Sequence, residues 1–169
     1  MVIAGMAGAF YGVHATRELG ATDGDVAVFT SILLAFQTTS TMAWGAVANR
    51  LRLPNVLLAG TIVGGLGSGV ALVWPSVTAF GVVFALTGIS MGAVIVAEGS
   101  LPLAFAEAAG EERSLYVAIS NTILSPVNLV APLVGGAIAD ATGFGAMYLV
   151  ATALTVGAAA AVLRVSEAR

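Results

Sequence analysis

Between Val26 and Trp74 the only charged side chains are Arg50 and Arg52. They stand in the segment Gly45-Ala-Val-Ala-Asn-Arg-Leu-Arg52, which interrupts a long apolar run, and Pro54 opens another directly afterwards. An ordinary soluble domain carries about 25% charged and about 45–50% apolar residues. This chain carries 9% charged and 59% hydrophobic residues, with a mean hydropathy of +1.01. It cannot cover itself with a water-compatible surface, so its natural solvent is lipid. A hydrocarbon core of about 30 Å needs roughly 20 apolar residues per helix, and the chain therefore supplies about six spans. The expected fold class is all-α, a polytopic membrane protein with six transmembrane helices.

The apolar runs predict helices over Val2–Thr16, Val26–Ala48, Pro54–Trp74, Val77–Ala106, Ser114–Ala139 and Phe144–Leu163. Thr22 or Asp23 is placed to cap the second. Pro54 fits the first turn of the third, where its missing N–H costs no hydrogen bond. Pro75-Ser76, the charged loop Glu107–Arg113 and Asp140–Gly143 read as turns. No linker is long or polar enough to divide the chain, so residues 1–169 are expected to form one bundle.

Arginine placement sets orientation more than net charge does. The chain has no lysine and six arginines. With the N-terminus inside, Arg50, Arg52, Arg113, Arg164 and Arg169 share the inner face and Arg17 alone lies outside. The expectation is a plasma (inner) membrane protein with both termini cytoplasmic. No basic flank precedes the first apolar stretch, so no cleavable signal is expected. Cysteine is absent, which excludes disulfides, thiolate chemistry and Cys-based metal sites.

A degraded copy of the arginine segment appears 91 positions later as Gly136-Ala-Ile-Ala-Asp140. The same offset pairs Thr30 with Asn121, Gln37 with Asn128, and Thr61 with Thr152. Helices two and three thus correspond to five and six, in units of about 1–75 and 76–169. Three helices separate the copies, and an odd number inverts the second unit, giving a 3+3 inverted repeat. Gly45-x-x-Ala48-Asn49-Arg50-x-Arg52 resembles the loop motif of the major facilitator superfamily, Gly-x-x-x-Asp-Arg-x-Gly-Arg-Arg, with Asn49 standing where that motif has an acid. The run from Glu112 through Asn121 and Pro126, with Pro132-Leu-Val-Gly-Gly136 to Gly143, resembles the eleventh-helix region of bacterial members. The likeness spans nearly all of this chain but only the C-terminal half of such a twelve-helix transporter. It implies secondary transport by alternating access, and a gating role for the loop Gly45, Asn49, Arg50 and Arg52.

Polar residues are concentrated on particular helices. Asn121, Ser125, Asn128 and Pro132 fall at i, i+4, i+7 and i+11, one face of a helix. Pro126 and Pro132 remove two backbone donors, tolerable at membrane depth only against protein or a watered cavity. Gln37, Thr41, Trp44 and Ala48 trace a comparable stripe on helix two. The expected cavity is lined by Gln37, Thr41, Thr87, Ser90, Asn121, Ser125 and Asn128. Glu98 lies about 32 Å along helix four at 1.5 Å per residue, near its inner end. A carboxylate within a span costs about 2.5–3.5 kcal/mol and faces a cavity or a partner, so Glu98 is a candidate for proton coupling, the alternative being that it reaches water at the inner interface or pairs with Arg113. His14, near the outer end of helix one, is the other, since it can titrate near neutral pH. The pairs Gly60/Gly64, Gly65/Gly69 and Gly88/Gly92 are read as small-xxx-small packing rather than a nucleotide loop.

No nucleophile–base constellation, metal-ligand spacing or phosphate loop is present, which argues against an enzyme. No metal, cofactor or nucleic-acid partner is expected. The expected partners are the lipid bilayer, a small solute, and a second six-helix bundle, because polar faces on helices two, four and five would otherwise meet lipid. That bundle is either a missing N-terminal half or another copy. A non-transporting interaction subunit is the alternative reading.

Overall fold

The computed structural model describes residues 7–109 and 113–167. Among the described residues there are six helices and no strand: α1 (Tyr11–Arg17), α2 (Asp23–Ala48), α3 (Leu53–Val73), α4 (Val77–Ala109), α5 (Arg113–Thr142) and α6 (Phe144–Glu167). Four of them are long and apolar enough to cross a membrane: α2, α3, Val77–Ser100 of α4 and Val117–Thr142 of α5. The apolar part of α6 among described residues, Phe144–Ala160, is shorter. The predicted helix Val2–Thr16 is described from Ala7 and is not continuous, since a turn at Ala9–Phe10 precedes α1; residues 1–6 lie outside the described residues. The expectation of six spans thus has four membrane-length helices behind it.

Local chemistry sets the ends of these helices. Thr22 is extended (φ −81°, ψ 165°), and its hydroxyl accepts the Asp25 N–H at 3.2 Å. The Asp25 carboxylate in turn accepts the Thr22 N–H at 2.8 Å. This capping box satisfies two end donors at once and starts α2 at Asp23, ahead of the expected Val26. Arg52 is extended at the head of α3, and Pro54 sits in the first turn as expected. Pro75 ends α3, because the residue before a proline is pushed out of the helical region; Trp74 accordingly has ψ 73°. The predicted turn at Asp140 is instead helical through Thr142. The break falls at Gly143, whose φ of +90° suits only glycine and whose N–H bonds the Ala139 carbonyl at 2.9 Å. The charged loop is shorter than predicted, because α4 continues to Ala109 and α5 begins at Arg113.

Helix α4 is the centre of the bundle, packed on α2 and α3, while α3 also packs on α6. Lipid is as apolar as leucine, so the hydrophobic effect does not pull these helices together; close van der Waals approach does. The glycines supply it. A Cβ at Gly88 would come within 2.5 Å of the Leu33 carbonyl oxygen, and one at Gly92 would collide with the Ser40 side chain. A Cβ at Gly60 would meet Ala93, and one at Gly65 would overlap Thr155. Five of the six predicted packing glycines therefore sit at close helix approaches, whereas Gly69 faces open space.

The core at the α1 end is aromatic. Tyr11 and Tyr148 stack at 5.5 Å between ring centroids, Phe80 stands edge-on to Tyr11 at 6.3 Å, and Phe29 stacks on Phe84 at 5.1 Å. Tyr148, Phe80 and Met147 are fully buried there. Offset and edge-to-face rings gain about 0.5–1.5 kcal/mol per pair beyond area burial. This cluster fixes α1, short as it is, against α4 and α6.

Candidate functional site

Helix α5 carries the predicted stripe, and the stripe faces outward. Asn121, Ser125, Asn128 and Pro126 are all exposed, as are Thr122, Leu129 and Val130 beside them. Ser125 turns its hydroxyl back onto the Asn121 carbonyl at 2.7 Å, and Thr122 does the same to Ala118 at 2.9 Å. Pro126 and Pro132 both lie inside the helix. Neither has an N–H, so the carbonyls of Thr122 and Asn128, four residues earlier, receive no helical hydrogen bond from them. Two amides, two hydroxyls and two under-bonded carbonyls thus sit on a helix of membrane length. That is a surface able to hydrogen-bond a solute or hold water.

On α2 the stripe runs along the seam with α4. Gln37 and Thr41 are half-buried, and Thr41 donates to the Gln37 carbonyl at 2.7 Å. Trp44 donates its indole N–H to the Ile89 carbonyl of α4 at 2.9 Å. The open face of α2 carries Thr30, Ser31, Thr38 and Thr39, four exposed hydroxyls that were not among the expected cavity residues. Thr30, Ser31 and Thr39 bond carbonyls of their own helix at 2.8–2.9 Å. Their clustering at Thr30-Ser31 and Thr38-Thr39, about two helical turns apart, was the signal available in the sequence.

Thr87 and Ser90 are brought to a different place. Both are buried, at 6% and 2% exposure. Thr87 donates to the Val83 carbonyl at 2.8 Å and lies over Gly67; a Cβ at Gly64 would come within 2.7 Å of the Ser90 hydroxyl. Here they fit glycine hollows of α3, inside the unit and away from its exposed face. Glu98 is exposed on α4. Of the loop residues, Asn49, Arg50 and Arg52 are exposed and Gly45 has open space where a Cβ would stand. Arg50 and Leu51 both donate their N–H to the Val47 carbonyl at 2.9 Å, which folds the loop back on the end of α2.

His14 is not an isolated interfacial side chain. It is 5% exposed, with Nδ1 2.9 Å from the Tyr148 hydroxyl and Nε2 3.2 Å from the Glu18 carboxylate. Its ring lies parallel to Phe144 at 4.7 Å and edge-on to Phe80 at 5.2 Å. Alongside, the Tyr11 and Ser68 hydroxyls are 2.9 Å apart. Glu18 stands four residues from His14 and was readable as its neighbour; Tyr148, 134 positions away, was not. A crevice between α3 and α6 of about 450 Å³ is lined mainly by Ile62, Leu66, Val156 and small residues. Its apolar walls suit hydrocarbon rather than a polar solute.

A sequence model of the Major Facilitator Superfamily matches residues 1–169. The chain belongs to that superfamily. As a member it is a helical membrane protein of transporter type. No curated protein and no solved structure matches it. Among the described residues no group of His, Asp and Glu is placed to hold a metal ion.

Proposed function

We propose that this chain is one six-helix half of a secondary transporter, moving a small solute across the plasma membrane by alternating access. The observation that carries the reading is the exposed polar face of α5, Asn121, Ser125 and Asn128, on a helix of membrane length. Polar side chains within a span are costly against lipid and mark cavities or partner contacts. A second six-helix bundle, covalently continuous with this one or another copy, covers the faces of α2 and α5, and the solute site lies between. Gln37 and Thr41 stand at its edge. Thr87 and Ser90 act from behind, by setting how closely α3 and α4 approach. Rocking of the two bundles about the site opens it to each side in turn, driven by an ion or solute gradient. Both termini are cytoplasmic, which places Arg50 and Arg52 on the inner side with Glu98 at the inner mouth of the cavity.

The absence of cysteine allows a direct test with single replacements. Asn121→Cys, Ser125→Cys and Asn128→Cys should react with a small water-soluble maleimide in membranes, and a transported solute should protect them. Ile62→Cys, exposed on α3 toward the apolar crevice, should stay unreactive. Equal silence at all four positions would place the α5 face in lipid and overturn the reading.

A further inference from the structure

Chemistry outside the proposed cavity is concentrated at Glu18, His14 and Tyr148. We infer that these three residues form a proton-binding site, separate from the solute cavity, that joins the first helix of one repeat to the last helix of the other. It runs from water inward: the Glu18 side chain is 54% exposed, the His14 ring 6%, and Tyr148 is fully buried. Its contacts, 3.2 Å and 2.9 Å, form an unbroken hydrogen-bonded chain from surface carboxylate to core hydroxyl.

Donor and acceptor inventory gives this chain two states. An imidazole with one proton has one donor nitrogen and one acceptor; an imidazolium has two donors. A carboxylate accepts only, so next to ionised Glu18 the neutral ring carries its hydrogen on Nε2. Nδ1 is then an acceptor, and the Tyr148 O–H donates to it. Adding one proton forms an N–H bond at Nδ1 and leaves a positive ring beside the Glu18 carboxylate. The Tyr148 oxygen must now accept, and its O–H turns away from the ring. One proton taken from water therefore reverses a hydrogen bond in the aromatic core between α1 and α6.

The neighbours leave the titration to these groups. Helix α4 presents the Phe80 ring to His14, and α6 presents Phe144 and Tyr148, so among the described side chains no charge contacts it from either. From α3, Ser68 reaches Tyr11 rather than His14. Arg17 is exposed on α1, and at the head of α2 Asp23 is exposed while Asp25 is engaged by Thr22. Glu18 is the charged side chain that touches the ring.

His14 is the single histidine of the chain, so ring-nitrogen NMR of labelled full-length protein in nanodiscs reports on it alone. The wild-type ring should titrate, its two nitrogen signals changing with pH. Its neutral form should carry the hydrogen on Nε2. Glu18→Gln removes an exposed charge and should shift the midpoint to at least tenfold higher proton concentration. Tyr148→Phe should move the Nδ1 signal of the neutral form while leaving Nε2 in place. A ring that does not titrate, or a midpoint the same in wild type and Glu18→Gln, would show His14 to be a fixed core group and overturn the assignment. The readout needs no transport, so its failure and failure of the proposed function are separate results.

Discussion

Helices α4 and α5 are of similar length and both carry polar side chains, yet they treat them in opposite ways. In the 18-residue apolar window of α4, within Val77–Ser100, 50% of the residues are buried in the bundle; in that of α5, within Val117–Thr142, 19% are. On α4, Thr87 and Ser90 face Gly67 and Gly64, and each polar group sits over a glycine of the next helix. On α5, Asn121, Ser125 and Asn128 are exposed and have no such surface opposite them among the described residues. Polar residues within a span serve either to hold helices together or to meet something outside the fold. The facing glycines distinguish the two.

The comparison predicts its largest effect on the buried side. Gly92→Leu drives a side chain into Ser40 and should cost about 3 kcal/mol, the upper range for overpacking. Unfolding of the reconstituted protein measures it; a cost no larger than at an exposed position would mean that α2 and α4 do not pack as described. Next in size is Thr22→Ala, expected to lose about 1 kcal/mol with the capping box and to fray Asp23–Val26 in hydrogen exchange. Trp44→Phe removes the indole donor to the Ile89 carbonyl and should cost about 0.6 kcal/mol, a typical interhelical hydrogen bond in a membrane. The smallest stability effect belongs to α5. Asn128→Leu should leave the unfolding free energy within about 0.6 kcal/mol of wild type. The same change should cut solute uptake at least about tenfold, equivalent to about 1.4 kcal/mol. A large loss of stability there would make Asn128 a packing residue and erase the contrast with α4.

The sequence showed some of these features better than others. Local chemistry was legible: Thr22 caps α2, Pro54 opens α3, and Gly60, Gly64, Gly65, Gly88 and Gly92 sit where helices approach. The direction in which each polar residue points was harder to read. In water an amphipathic stripe tells inside from outside, but in lipid the outer face is apolar too, so periodicity alone does not orient a helix. Thr87 and Ser90 therefore read like the α5 stripe, although they turn the other way. The His14–Tyr148 contact was beyond reach for another reason. It joins residues 134 positions apart, and no local pattern specifies it.

The two prolines of α5 have a consequence for how such a protein can change over time. Asn121, Ser125 and Asn128 can each be replaced by a single mutation, and on the proposed reading what the surface recognises would change with them. The carbonyls of Thr122 and Asn128 are main chain, and no substitution at those positions removes them. While Pro126 and Pro132 remain, α5 keeps two carbonyls that its own helix does not bond at those positions. Its side chains can change without that helix ever becoming wholly apolar.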